Sequence, residues 1–227
     1  MTTLGPAEWA AIGLSLRVAI VAMIASLPLA IWVAHILARK RFKGRWLLNA
    51  VVHLPLVLPP VVTGYLLLVL FGNNGWIGKI LNDVLGITLA FRWTGAALAA
   101  AIMAFPLMVR AIRLGLEAVD PGLEIAAKTL GASRWRVFRT ITLPLMTPSI
   151  LAAAVLGFAK ALGEFGATIT FVAAIPGQTQ TIPSAIYGLL QVPGQEPAIL
   201  WLVAVSIFFA IGALLLSEWL ASRVRND

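Results

Sequence analysis

The chain reads as an all-α, polytopic bundle of transmembrane helices, and three observations predict it. Hydrophobic residues fill 60% of the 227 positions and charged residues only 11%, whereas an ordinary soluble domain is roughly a quarter charged. The apolar residues collect into stretches long enough to cross a hydrocarbon core of about 30 Å at about 1.5 Å per residue. The basic residues fall in short segments between those stretches, heavily on alternate ones, as in a membrane protein with a fixed orientation. Residues 1–227 therefore form one transmembrane domain, with a polar segment at about 117–144.

The first apolar stretch runs from about Ala10 to Ala38, with Arg17 near its start, where it can snorkel. The basic run Arg39, Lys40, Arg41, Lys43 and Arg45 follows. A second stretch covers about Trp46 to Phe71 and carries Pro55, Pro59 and Pro60, so a kink or a broken helix is expected. That break suits a bent packing helix or a segment lining a gate, with Thr63 and Gly64 beyond it. GNNGWIGKILNDVLG then reads as a turn and a short amphipathic helix. The third stretch spans about Thr94 to Leu116. The fourth, about Ile141 to Ala173, is long enough to tilt or break. Thr181 to Val192 is too short to cross and reads as a re-entrant or interfacial helix. The last stretch, about Ala198 to Ala221, ends in a tail bearing Arg223 and Arg225.

About five spans result, with six as the alternative. One side holds thirteen basic residues and the other only Lys79 and Arg92. The positive-inside rule then puts the N-terminus outside and the C-terminus in the cytoplasm. The net charge of +8 lies in loops between spans, which excludes a nucleic-acid surface. MTTLGPAEW lacks a basic leader region, so a cleaved signal peptide is not expected. The absence of cysteine excludes disulfides and thiolate chemistry. His35 and His53 have no third ligand in the pattern, so no metal site is expected. No phosphate loop, H-E-x-x-H or G-x-S-x-G occurs, so no catalytic residue is assigned and any ATP hydrolysis belongs to a partner.

Two segments carry the functional argument. In the first, Asp120-Pro121 is a helix start, an N-cap carboxylate followed by proline. Glu124 suits the first turn and can pair with Lys128. Ala126 and Ala127 allow close approach of another surface, Gly131 ends the helix, and Ser133 caps a second one bearing Arg134, Arg136 and Arg139. Thr142 and Pro144 then mark a turn into the fourth span. This predicts two short helices at a corner on the membrane surface. In the second segment, Lys160 and Glu164 stand four residues apart within the fourth span. A charge there needs a partner or water, so the pair is a structural salt bridge or part of a gate. Gly163 and Gly166 give close approach or a local break. Thr168 and Thr170 add hydroxyls suited to tight packing or to a hydrated path.

Ala126-Ala127, Gly131, Ile141, Leu143 and Pro144 together resemble the coupling motif of membrane subunits of bacterial ATP-driven importers that use a binding protein. The resemblance implies a type I ABC importer permease fold, with the first helix of the motif seated in a groove of a cytoplasmic ATPase. One departure stands out: the family's acidic residue directly before the alanines is Ile125 here, with Glu124 one place earlier, about 100° around a helix. KALGEFGATITFVAAIPGQTQTIPSAIYGLLQVPG is similar to the molybdate branch of these permeases. That implies a homodimer in the bacterial inner membrane, two ATPase subunits carrying ATP and Mg, and an external molybdate-binding protein. Inverted repeats are not evident, which fits a second copy supplying half of the pathway. Sulfate, thiosulfate or tungstate is the alternative cargo. An ion-coupled secondary transporter would leave the 120–139 segment unexplained, and a membrane anchor would not require polar residues in the middle of the fourth span. The spans hold no dense basic ring, so cargo specificity is expected in the external binding protein.

Overall fold

The computed structural model describes residues 5–226. Residues 1–4, part of the amino-terminal segment read above, lie outside the described residues, as do the side chains of the tail residues Arg223 and Arg225. Three long elements form the centre: α1 (Pro6–Arg39), α5 (Trp93–Ala118) and α8 (Leu143–Leu162). Of the most apolar window of α5, 61% is buried inside the chain, against 6% for the last helix, α11 (Glu196–Asn226). α5 is therefore the central post, and α11 offers its surface to lipid or to a partner. The cause is side-chain size. Ala96, Ala97, Ala99, Ala100 and Ala104 line α5 and are buried, and small residues let helices approach where no hydrophobic effect drives them together.

The core has two halves along the bundle. Near the basic end, Ala30, Ala34 and Leu37 of α1 meet Met108, Ile112 and Leu116 of α5 and Met146 of α8. Toward the other end, Val18 and Ala22 meet Ala96, Ala100, Phe171 and Val172. There the Arg17 guanidinium stacks over the Trp93 ring at 3.7 Å, so its charge is matched by an aromatic face.

The second apolar stretch breaks where its prolines demand. α2 (Arg45–Val57) and α3 (Pro60–Phe71) meet at a bend of 113°. Pro60 opens α3, where a missing N–H costs nothing, and the N–H groups of Val62 and Thr63 turn to the Pro59 carbonyl at 2.9 and 3.2 Å. α4 (Trp76–Leu85) is the short helix expected after the turn.

The fourth stretch departs from the expectation at its start. The sequence predicts a turn at Thr142 and Pro144; the chain instead runs unbroken for 29 residues from Arg134 to Leu162. α7 (Arg134–Val137) passes into a π turn over Phe138–Thr142 and then into α8. The Leu143 N–H reaches back to the Phe138 carbonyl. This wider turn gives room for the Pro144 ring, which lacks a donor and would crowd the carbonyl four residues back in an α-helix. The helix does end at Gly163, and α9 (Gly166–Val172) follows.

α3 and α9 pack side by side through glycines. A methyl at Gly64 would lie 2.5 Å from the Ala167 carbonyl oxygen, and one at Gly166 would lie 2.7 Å from Pro60 Cβ. α10 (Ile182–Leu189) has eight residues, about 12 Å of helix, and cannot cross. It tucks against α1, with the Ile182 N–H donating to Ser15 Oγ at 2.7 Å. Among the described residues, four helices are long and apolar enough to cross, and the bent α2–α3 pair makes five; no sixth is supplied.

The glycine contact yields a signed prediction. Gly64→Ala forces backbone apart and should cost about 1–3 kcal/mol. Gly13 has open space around it, so Gly13→Ala should be neutral or gain up to about 1 kcal/mol. Thermal unfolding of the detergent-purified chain checks this; equal melting of the two variants would contradict the packing.

Candidate functional site

The polar segment builds a rigid projection. α6 (Pro121–Thr129) starts at Asp120, whose carboxylate accepts the Gly122 N–H at 2.8 Å. It closes through Gly131 at φ +85°, with the Ala132 N–H bonded to the Ala127 carbonyl at 3.0 Å. The left-handed conformation is what requires glycine there. Ser133 Oγ accepts the Arg136 N–H at 3.3 Å and caps α7.

Glu124, one place before the position of the motif's acidic residue, faces into the chain. Its carboxylate is turned inward, accepting from Arg39 at 3.2 Å and from the Thr142 hydroxyl at 2.9 Å. The expected partner Lys128 stands at 3.9 Å. Arg39 also donates to the Val119 carbonyl at 3.2 Å. One carboxylate thus ties α6 to the end of α1 and to the π turn. Ile125 points outward, 59% exposed. No residue of α6 is buried. Leu123, Ala126 and Leu130 recur at helical spacing and are exposed, giving an apolar stripe that sequence reasoning missed at both leucines. Arg134 and Arg136 are exposed beside it, whereas Ile141 and Leu143 are half-buried and Pro144 is exposed.

The second cluster lies where α8 ends. Glu164 is buried, with its side chain 1% exposed, and Lys160 Nζ donates to it at 2.7 Å. Its other oxygen accepts the Ala167 N–H at 3.0 Å. The carboxylate therefore satisfies both an ammonium and a donor freed by the helix break. The Thr168 hydroxyl donates to the Phe165 carbonyl at 2.8 Å, and the Thr170 hydroxyl to that of Gly166 at 2.8 Å. Both hydroxyl protons stay within their own turn, and their segment is pressed on Gly64. Pro59, Pro60 and Gly163 are exposed, and Thr63 is buried without a hydrogen-bond partner. A cleft of about 500 Å³ opens beside Gly163 and Phe165, walled by Ile186 and Tyr187 of α10.

Sequence reasoning also missed Thr179. Its hydroxyl accepts the Ile175 N–H at 2.9 Å and lies 3.2 and 3.1 Å from the Val172 and Ala173 carbonyls. It holds Ala173 at φ +60°, a conformation costly for a residue with a side chain. A lone threonine carries no signal of that role. The two histidines stay apart from any metal-like cluster: among the described residues no three metal-binding side chains converge.

Residues 26–226 match the family described as binding-protein-dependent transport system inner membrane component. The chain belongs to this family. A relative is the molybdenum transport system permease protein ModB of Escherichia coli strain K12, 61% identical over 219 residues, 96% of each chain. The sulfate transport system permease protein CysT of Salmonella typhimurium is 39% identical over 186 residues, 82% of this chain and 67% of its own. In fold, the chain is similar to a bacterial ABC transporter involved in the import of the polysaccharide alginate, with a TM-score of 0.72 at 20% identity, covering 98% of this chain and 80% of the other. The chain is thus the multi-pass inner-membrane permease subunit of an ABC importer, a system in which an ATPase and a substrate-binding protein complete the machine. ATP hydrolysis lies with the ATPase, not with this subunit.

The buried pair gives an asymmetric prediction. Lys160→Met strands a dry carboxylate and should cost about 3–5 kcal/mol. Glu164→Gln keeps an acceptor for the Ala167 N–H and leaves a lysine that is 31% exposed, so it should cost less. The double variant should recover membrane abundance relative to Lys160→Met. Additive losses in a quantitative membrane immunoblot would refute the coupling.

Proposed function

We propose that this chain carries molybdate across the inner membrane as the permease of an ATP-driven importer. The cargo reading is carried by the 61% identity over 96% of both chains to a molybdenum permease, against 39% to a sulfate permease. Tungstate, similar in size and charge, shares the route; sulfate or thiosulfate as the main cargo is the alternative. Specificity resides in an external binding protein, because the permease needs only a weak, transient path from which the anion can leave.

The working unit is two copies of this chain with two ATPase subunits, which carry the ATP and Mg. The N-terminus faces outside and the C-terminus the cytoplasm, as the charge asymmetry supports. The exposed stripe of Leu123, Ala126 and Leu130, with the half-buried Ala127, seats in the ATPase groove. Asp120, Gly131 and Ser133 shape that projection, and Arg134 and Arg136 flank it. Glu124 acts from within: through Arg39 and Thr142 it passes the docking helix's motion to α1 and to the α7–α8 rod, where Ile141, Leu143 and Pro144 join the two. At the far end of the rod, Lys160 pairs with Glu164, which stands between Gly163 and Gly166, and the two hold the break at which the path closes. Pro59, Pro60, Thr63 and Gly64 present the facing wall, and Thr168 and Thr170 keep α9 against it.

Molybdate uptake in a strain lacking its own permease tests cargo and coupling together. The chain, expressed with its ATPase and binding protein, should restore uptake. Ala127→Glu should abolish it and reduce ATPase copurification, with membrane abundance unchanged. Normal uptake and full ATPase association in that variant would place the contact elsewhere.

Orientation is checked separately. Single cysteines in this cysteine-free chain react with an impermeant thiol reagent from one side. Arg134→Cys should label only after lysis of spheroplasts, and Lys79→Cys before it. The reverse pattern would overturn the topology.

A further inference from the structure

Beside the Arg39–Glu124 contact lies a cleft of about 770 Å³ between the end of α1 and the α6–α7 projection. Its two ends differ in chemistry. One is apolar, formed by Pro28, Ile31 and Trp32 of α1, with Trp32 61% exposed. The other carries Arg39, Lys40, Lys128 and Arg134 against the single carboxylate of Glu124. Arg39 is committed to Glu124 and to the Val119 carbonyl, and Lys128 stands 3.9 Å from Glu124. Lys40 and Arg134 are exposed and form no ion pair among the described residues.

The gradient has a length. Pro28 and Lys40 are separated by about 18 Å along the helix, on the turns where α1 leaves the bilayer. A free oxyanion would fill only the cationic end. An amphiphile with an anionic head fits both ends, and its own polarity runs in the same sense as the cleft. We infer that this cleft binds one anionic phospholipid, its phosphate held by Lys40 and Arg134 and an acyl chain laid along Ile31 and Trp32. The headgroup then joins the end of α1 to the start of α7, beside the tie that Arg39 and Glu124 make between the end of α1 and α6. The seating of the docking helix accordingly depends on lipid headgroup charge. The site serves the coupling segment and takes no cargo.

The assembled transporter, purified with its partner subunits, is placed in nanodiscs of phosphatidylcholine and phosphatidylglycerol in equal parts. It is then re-extracted, and the lipid it retains is quantified by mass spectrometry. Phosphatidylglycerol should be enriched over phosphatidylcholine. Each basic residue removed near the membrane surface should lower that enrichment about fivefold, so Lys40→Gln with Arg134→Gln should bring it close to the bulk ratio. Trp32→Ala, which keeps every charge, should also lower retention. Millimolar inorganic phosphate or molybdate should not displace the lipid. A bulk ratio in the unaltered complex, or enrichment unchanged in the double variant, would overturn the assignment. Loss of the lipid to inorganic phosphate would assign the cleft to a free anion instead.

Discussion

A carboxylate buried in the middle of the bundle is the constraint around which the rest is arranged. Hydrocarbon offers Glu164 no water, so its charge must be met inside the protein. Lys160 meets it from one turn earlier and the Ala167 N–H from three residues later. The second contact exists only because the helix breaks at Gly163 and starts afresh at Gly166. An unbroken helix would have spent that N–H on its own ladder. A break in lipid without an acceptor would in turn leave donors unpaired. Charge and break therefore require each other. The new segment then lies against the other interrupted span, with Gly64 on Ala167 and Gly166 on Pro60. Two irregular segments cover each other's backbone, which membrane-depth irregularity demands.

At the basic end a second carboxylate, Glu124, does comparable work in a wetter setting. It gathers a guanidinium from α1 and a hydroxyl from the π turn, and so fixes α6, a helix that buries none of its own residues in the chain. An element with no core of its own can be stiff only through such ties. The stripe it leaves outward is apolar and exposed, and it is the surface proposed above to meet the ATPase. Glu124 meets the continuous Arg134–Leu162 helix at Thr142, and Glu164 lies two residues beyond its far end, so one helix connects the surroundings of the two carboxylates.

Much of this was legible in the sequence because its causes are local. Span positions follow from composition, the caps at Asp120 and Ser133 from two- and three-residue rules, and the Lys160–Glu164 pair from a four-residue spacing. What stayed hidden depends on distance along the chain. Arg39 and Glu124 are 85 residues apart, and Ser15 and Ile182 are 167 apart; no periodicity brings such pairs together. The inward turn of Glu124 was visible only as an offset in a motif. The turn expected at Thr142 and Pro144 failed for a different reason. Proline argues against an α-helix, yet a π turn removes the objection, and nothing in the residue types distinguishes the two outcomes. Thr179 was silent because its importance lies in the strained neighbour it holds.

The π turn has a consequence for angular phase. It fits one residue more than α-helix into the same advance, so the helix beyond it is rotated by about 100° relative to an uninterrupted one. The arginines of α7 and the buried face of α8, with Met146, Ala153 and Gly157, are therefore set in register by a count of residues, not by a contact. Removing one residue between Phe138 and Thr142 would leave both surfaces chemically intact. It would turn one against the other by more than a quarter of a revolution. The junction behaves as a clocking spacer: the dial it sets moves in single-residue steps and has no intermediate positions.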